Sequence, residues 1–171
     1  LFSIQRGKKD DEEAAGILGN CFVMLLLCGV FLTVVIMAVK KPVLYLLGAS
    51  DQTYVYADAY LTIYLFGTVF VMLSLGLNQF INAQGFGTTG MLTIVIGAGL
   101  NIVLDPVFIY GLHMGVRGAA VATVISQFIS AVWTLRFLLG KKAVVRLQKK
   151  YMPLQRKRIG RILGLGASSF T

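Results

Sequence analysis

The sequence predicts an all-α membrane protein, a polytopic helical bundle with four complete transmembrane helices and the start of a fifth. Three observations carry that expectation. The chain of 171 residues is 57% hydrophobic and only 13% charged, with a mean hydropathy of +0.78, too apolar for a soluble domain that must cover itself with polar groups. Its apolar residues fall in uninterrupted runs of the roughly 20 residues that a helix needs to cross a bilayer. Those runs lack period-two alternation, and open strand edges do not survive in lipid, so helices are expected in preference to strands.

The first run, Ala14 to Val39, follows "KKDDEEAA", whose Asp10, Asp11, Glu12 and Glu13 suit the positive end of a helix dipole; it is expected to stop at "KKP". The second, Ala59 to Ile81, opens after "GASDQT", with Ser50 as its N-cap. The third runs from Met91 to Tyr110 and the fourth from Gly118 to Leu139, and a fifth begins near Ile162. "LFSIQRGKKDDEEAAG" is polar and fits no signal peptide. The chain begins with Leu1 and stops at Thr171 inside an apolar pattern, and is expected to be an internal fragment of a longer protein.

A formal net charge of +9 could suggest nucleic acid, but the basic residues cluster between apolar runs and are read as topology; no nucleic-acid partner is expected. One side of the spans collects Arg6, Lys8 and Lys9, then Lys141, Lys142, Arg146, Lys149, Lys150, Arg156, Lys157, Arg158 and Arg161. The other has only Lys40, Lys41 and Arg117, while Arg136 lies in the last turn of the fourth span and can snorkel to the richer side. The positive-inside rule then places residues 1–13, 82–90 and 140–161 in the cytoplasm of a multi-pass protein of the inner or plasma membrane. Tyr45, Tyr54, Tyr56, Tyr60 and Tyr110 fall at or near the opposite interface, where amphipathic rings are favoured. Residues 140–161 are expected to form a solvated basic linker lying partly on anionic membrane lipid.

Little else in the composition suggests chemistry. Cys21 and Cys28 are seven apart in one apolar run, awkward for a disulfide and without metal-ligand companions, so both are read as packing residues. His113 stands alone in a short loop, and no resident metal site or cofactor is expected. An enzyme would need an acid–base pair, a metal cluster or a partnered nucleophile, none of which the pattern supplies.

One acidic residue departs from this apolar plan. Asp105 lies well inside a span, where a carboxylate costs about 2.5 to 3.5 kcal/mol on insertion scales and normally faces a protein interior or wet cavity. At 1.5 Å per residue it lies roughly 21 Å along its helix from Met91, in the outer half of the membrane. Asn101 precedes it by four residues, which stacks the two side chains on one face, with Gly97 a further turn below. Pro106 cannot donate to the carbonyl of Ile102 and is expected to kink the helix there. Together these supply oxygen ligands for Na⁺ or a carboxylate for a proton, and spacing does not decide between them. On neighbouring spans, Asn78 and Thr123 can add to the set. Gly115, Ala119, Ala122 and Ser126 give the fourth span a small-residue face for a close crossing. By pattern alone, packing is the favoured role for Asn78 and Thr123.

"SIQRGKKDDEEAAGILGN", "FINAQG", "GAGLNIVLDPVFIYGLHMGVRGAAVATVISQ" and the basic linker resemble, in order and spacing, the amino-terminal lobe of prokaryotic members of the multidrug and toxic compound extrusion (MATE) family of antiporters. The resemblance implies part of a twelve-helix, two-lobe transporter. Residues 1–139 would hold helices equivalent to the family's third to sixth, 140–161 the interlobe linker, and 162–171 the start of the carboxyl-terminal lobe. It implies a secondary active exporter that antiports organic cations or other amphiphiles against H⁺ or Na⁺ by alternating access, with the remainder of the same polypeptide as a necessary partner. The cation site would use Asp105, Asn101 and Thr123, with Asn78 as a nearby polar partner. The family's site also draws on an aspartate of its first helix, which the resemblance places before Leu1. Asn82 stands where arginine is expected, and "GASSF" near Ala167 lacks a common proline. A lipid or lipid-linked oligosaccharide flippase of similar architecture is the alternative, weakened because the spans hold no Lys or Arg beyond Arg136 to accept a pyrophosphate.

Overall fold

The computed structural model of the chain describes residues 2–167; the positions of the "GASSF" segment beyond Ala167 and the end of the fifth span lie outside the described residues. After a short helix α1 (Phe2–Gly7) come four helices long and apolar enough to cross a membrane: α2 (Asp11–Leu46), α3 (Asp51–Ala83), α4 (Gly87–Pro106, extended by a π-helical turn Val107–Gly111) and α5 (Val116–Leu139). A 3-10 turn (Lys149–Tyr151) leads to α6 (Arg156–Ala167). No strand occurs among the described residues.

The helices run further than hydropathy alone suggests; α2 and α3 start at side-chain caps, whereas α4 and α5 start at Phe86 and Gly115 without one. Asp10 caps α2 through a 3.0 Å bond from the Glu13 amide. The expected stop at "KKP" does not occur, because α2 continues through Pro42 to Leu46. Close to the membrane surface the one lost backbone bond is inexpensive, since water and side chains can satisfy the freed carbonyl. Ser50 caps α3 as expected, in a reciprocal capping box with Thr53. Pro106 does not break α4; with no N–H to close the regular ring, the next turn widens to a five-residue spacing, seen in the 2.9 Å bond from the Leu112 amide to the Val107 carbonyl.

Packing follows small residues. A Cβ on Gly67 of α3 would meet Val124 Cγ2 of α5 at 2.6 Å, so only glycine allows this approach. The small face expected on the fourth span is displaced by one turn. Gly115 precedes α5 with a φ of +56° and open space around it, whereas Gly118 makes the close contact, its would-be Cβ 2.7 Å from the Phe108 carbonyl. Ala122 and Ser126 are buried as expected.

The basic segment after α5 contradicts the solvated-linker expectation. Ala143, Val145 and Leu147 are buried at 4%, 2% and 5% exposure, alternating with exposed Val144 and Arg146. The extended stretch is pinned by the Leu147 amide to the Leu138 carbonyl at 3.0 Å and by the Val145 amide to Gln84 Oε1 at 2.9 Å. Further on, fully buried Asn20 of α2 holds it from both sides. Its Nδ2 donates to the carbonyls of Tyr151 and Pro153 at 3.1 and 3.3 Å, and its Oδ1 accepts from the Gln155 amide at 2.9 Å. Arg158 of α6 then forks onto Glu13 at 2.7 and 3.1 Å, a bond that raises the guanidinium pKa above its ordinary value. The physical reason is burial: three apolar side chains on one side of this irregular segment cover the helix ends better than water does. Lys141, Lys142, Arg146, Lys149 and Lys150 stay exposed, whereas Ala143, Val145 and Leu147 seal the end of the bundle.

Candidate cation site

The site is built where α4 and α5 run side by side. Asn101 and Asp105 share one face of α4, one turn apart, and the Gly118 approach brings α5 close enough for Thr123 to meet them. Asn101 Nδ2 donates to Asp105 Oδ1 and to Thr123 Oγ1, both at 3.2 Å. Thr123 Oγ1 in turn donates to the Ala119 carbonyl at 2.9 Å, which fixes its hydroxyl hydrogen and leaves its lone pairs toward Asn101. All three are half-buried. The amide of Asn101 is thus the bridge between a carboxylate on one helix and a hydroxyl on the next.

Below this bridge, toward the basic end, opens a cavity of about 190 Å³. Asn101 and Thr123 form its roof, Asn78 and Ser74 of α3 one wall, and Thr93 of α4 with Ser130 of α5 its floor. Asn78 is 4% exposed, and its Oδ1 has no hydrogen-bond partner among the described residues. A buried amide oxygen without a donor costs roughly 1 to 3 kcal/mol, so the cavity calls for water or a cation there. The structure therefore brings Asn101, Asp105 and Thr123 into one hydrogen-bonded set and sets Asn78 on the cavity beneath it, while Asp105 itself stands above the cavity lining.

Four polar residues of this cavity were not singled out from the sequence: Ser74, Thr93, Gln127 and Ser130. A signal existed. Thr93, Gly97, Asn101 and Asp105 recur every four residues, and Thr123, Gln127 and Ser130 repeat the stripe on α5. The arrangement can hold a small cation or proton beside one negative charge, with neutral oxygens leading away from it. Among the described residues no group of three His, Cys, Asp or Glu could hold a resident metal.

The family described as MatE matches residues 1–107. The chain belongs to the MatE family. Among curated MatE relatives, the "Multidrug export protein MepA" of Staphylococcus haemolyticus is 30% identical over 145 residues, covering 85% of this chain and 32% of that protein. A solved structure described as the inward-facing conformation of a multidrug resistance MATE family transporter of the MOP superfamily superposes with a TM-score of 0.90 at 28% identity, covering 97% of this chain and 38% of the other. The structure described as the outward-facing conformation of such a transporter gives 0.89 at 28% identity, covering 97% and 37%. The chain spans about a third of the length of these MatE proteins.

Proposed function

We propose that this chain forms part of the amino-terminal lobe of a cation-coupled multidrug exporter, with Asp105, Asn101 and Thr123 as the coupling site and Asn78 as its polar neighbour. The Asn101 amide bridging Asp105 and Thr123 above a polar cavity is the observation that carries the reading. The named relatives, a multidrug export protein and multidrug resistance transporters, support the substrate class. The basic end is cytoplasmic by the positive-inside rule, and the protein lies in the cell's plasma membrane.

In the outward-open state, H⁺ or Na⁺ reaches Asp105 from the outer side. A carboxylate accepts the Asn101 N–H; a protonated carboxyl becomes a donor and a Na⁺-bound one is neutralised, so either event weakens that bond. Asn101 then turns its amide, and the link it makes to Thr123 passes the change from α4 to α5. The π-helical turn after Pro106, where backbone bonds are already irregular, is the place where α4 can flex at low cost. Cation and drug bind the two states with different affinity, which is the condition for one to drive the other outward. This piece superposes almost equally on inward-facing and outward-facing relatives, which supports alternating access by movement of a lobe as a unit.

The test is efflux of a fluorescent organic cation from cells expressing the full-length parent, comparing wild type with Asp105→Asn at equal membrane abundance. Wild type is expected to export the dye and the variant to retain it. Equal export would show that Asp105 is interhelical glue and would overturn the reading.

A further inference from the structure

The basic end of the bundle carries a second opening, separate from the cavity under Asn101. Thr89 of α4, Trp133, Arg136 and Phe137 of α5, and Lys142 just beyond it surround a groove of about 470 Å³. An adjoining groove of about 400 Å³ is lined by Val132, Leu135 and Leu139 and shares Arg136 and Gly140 with the first. One is rimmed by two cations and a hydroxyl; the other is hydrocarbon apart from Arg136. Around both, Leu92, Val132 and Leu139 are exposed at 40%, 45% and 59%, the surface of a span that faces lipid.

Arg136 and Lys142 make no ion pair among the described residues, and no Asp or Glu lines either groove, whereas Lys40, Lys150, Arg158 and Arg161 each have a carboxylate within 4 Å. Two cations at the hydrocarbon edge without a counter-ion favour an anion, and the guanidinium fork suits two phosphate oxygens at once. The occupant must also fill the apolar groove next to it, which inorganic phosphate does not. We propose that these paired grooves bind one anionic phospholipid of the leaflet at the basic end, its phosphodiester between Arg136 and Lys142, its glycerol oxygens near Thr89, and an acyl chain along Val132, Leu135 and Leu139. Trp133 sits beside the headgroup, at the level where indole rings partition. Basic pockets between helices on the cytoplasmic side are a recurrent headgroup site, and the leaflet follows from the orientation proposed above. The site bears on lipid dependence and is independent of Asp105.

The experiment uses the full-length parent in phosphatidylcholine vesicles carrying a photoactivatable phosphatidylglycerol, with cross-linked peptides mapped by mass spectrometry. Labelling is expected on the peptides holding Leu92, Trp133 and Leu139, displaced by unlabelled phosphatidylglycerol and not by phosphatidylcholine or inorganic phosphate. At roughly fivefold per basic residue near the surface, Arg136→Gln combined with Lys142→Gln weakens competition about thirtyfold. Lys141→Gln, beside the groove and outside its lining, stays within twofold of wild type. Equal labelling by a phosphatidylcholine probe, displacement by inorganic phosphate alone, or an unchanged double variant would overturn the proposal. So would absence of label because the rest of the polypeptide covers the groove.

Discussion

Asn20→Ala should release the segment after α5 from the basic end of the bundle. Asn20 is fully buried, and its amide joins α2 to three backbone groups more than a hundred residues away in sequence: the carbonyls of Tyr151 and Pro153 and the N–H of Gln155. Its two amide hydrogens are shared among three carbonyls, counting Gly16 at 3.0 Å, so truncation removes about two bonds into the segment and strands their partners. At about 1 kcal/mol for each bond, with a further penalty for a stranded buried group, the segment loses roughly 3 kcal/mol of attachment. That corresponds to about a hundredfold larger population of the detached form. Limited trypsin digestion of the purified full-length parent reads this directly, because Lys149, Lys150, Arg156 and Lys157 flank the pinned residues. Where reclosing is fast relative to cleavage, the rate follows the open population and should rise by about two orders of magnitude. A rate within twofold of wild type would refute the claim that Asn20 holds the segment.

Thr123→Val keeps the shape of the side chain and removes the oxygen that accepts from Asn101 Nδ2; the cation concentration for half-maximal export should rise about tenfold, and Thr123→Ser should restore it to within twofold. Gly67→Ala places a methyl 2.6 Å from Val124 Cγ2 at the α3–α5 crossing and should cost about 1 to 3 kcal/mol, seen as a lower melting temperature in detergent. Gln84→Leu leaves the buried Val145 amide without its acceptor and should raise trypsin cleavage at Arg146 several-fold while cleavage near Arg156 stays nearly unchanged.

The spans were legible because a bilayer admits only helices and closed barrels, and uninterrupted apolar runs of about 20 residues fit the helix alone. Asp105 was legible for the same reason turned around: an ionisable group in that medium stands out, and Asn101 four residues earlier lies on its face by helix geometry alone. The distance between Asn101 and Thr123 was not legible, since it depends on Gly118 and not Gly115 making the close contact with the α4 end. The end of α2 was misread because the rule that proline stops a helix is weaker at a membrane surface, where the lost bond is easily replaced. The segment 143–148 carried a partial signal, Val145 and Leu147 alternating with Arg146 and Gln148, which Val144 and the density of charge concealed. Asn20 was a lone amide in an apolar run, a visible anomaly, but its partners are backbone groups far along the chain and no local pattern names them.

If Asp105 couples cation movement to substrate movement, the full-length parent in proteoliposomes loaded with a fluorescent organic cation shows it. Export is followed with an imposed inward gradient of H⁺ or Na⁺, and substrate–substrate exchange is followed with no gradient. Asp105→Asn is expected to abolish the gradient-driven component while exchange persists, and the ion whose gradient drives wild type is the coupling ion. Gradient-driven export by Asp105→Asn at the wild-type rate would show that Asp105 is not the coupling residue.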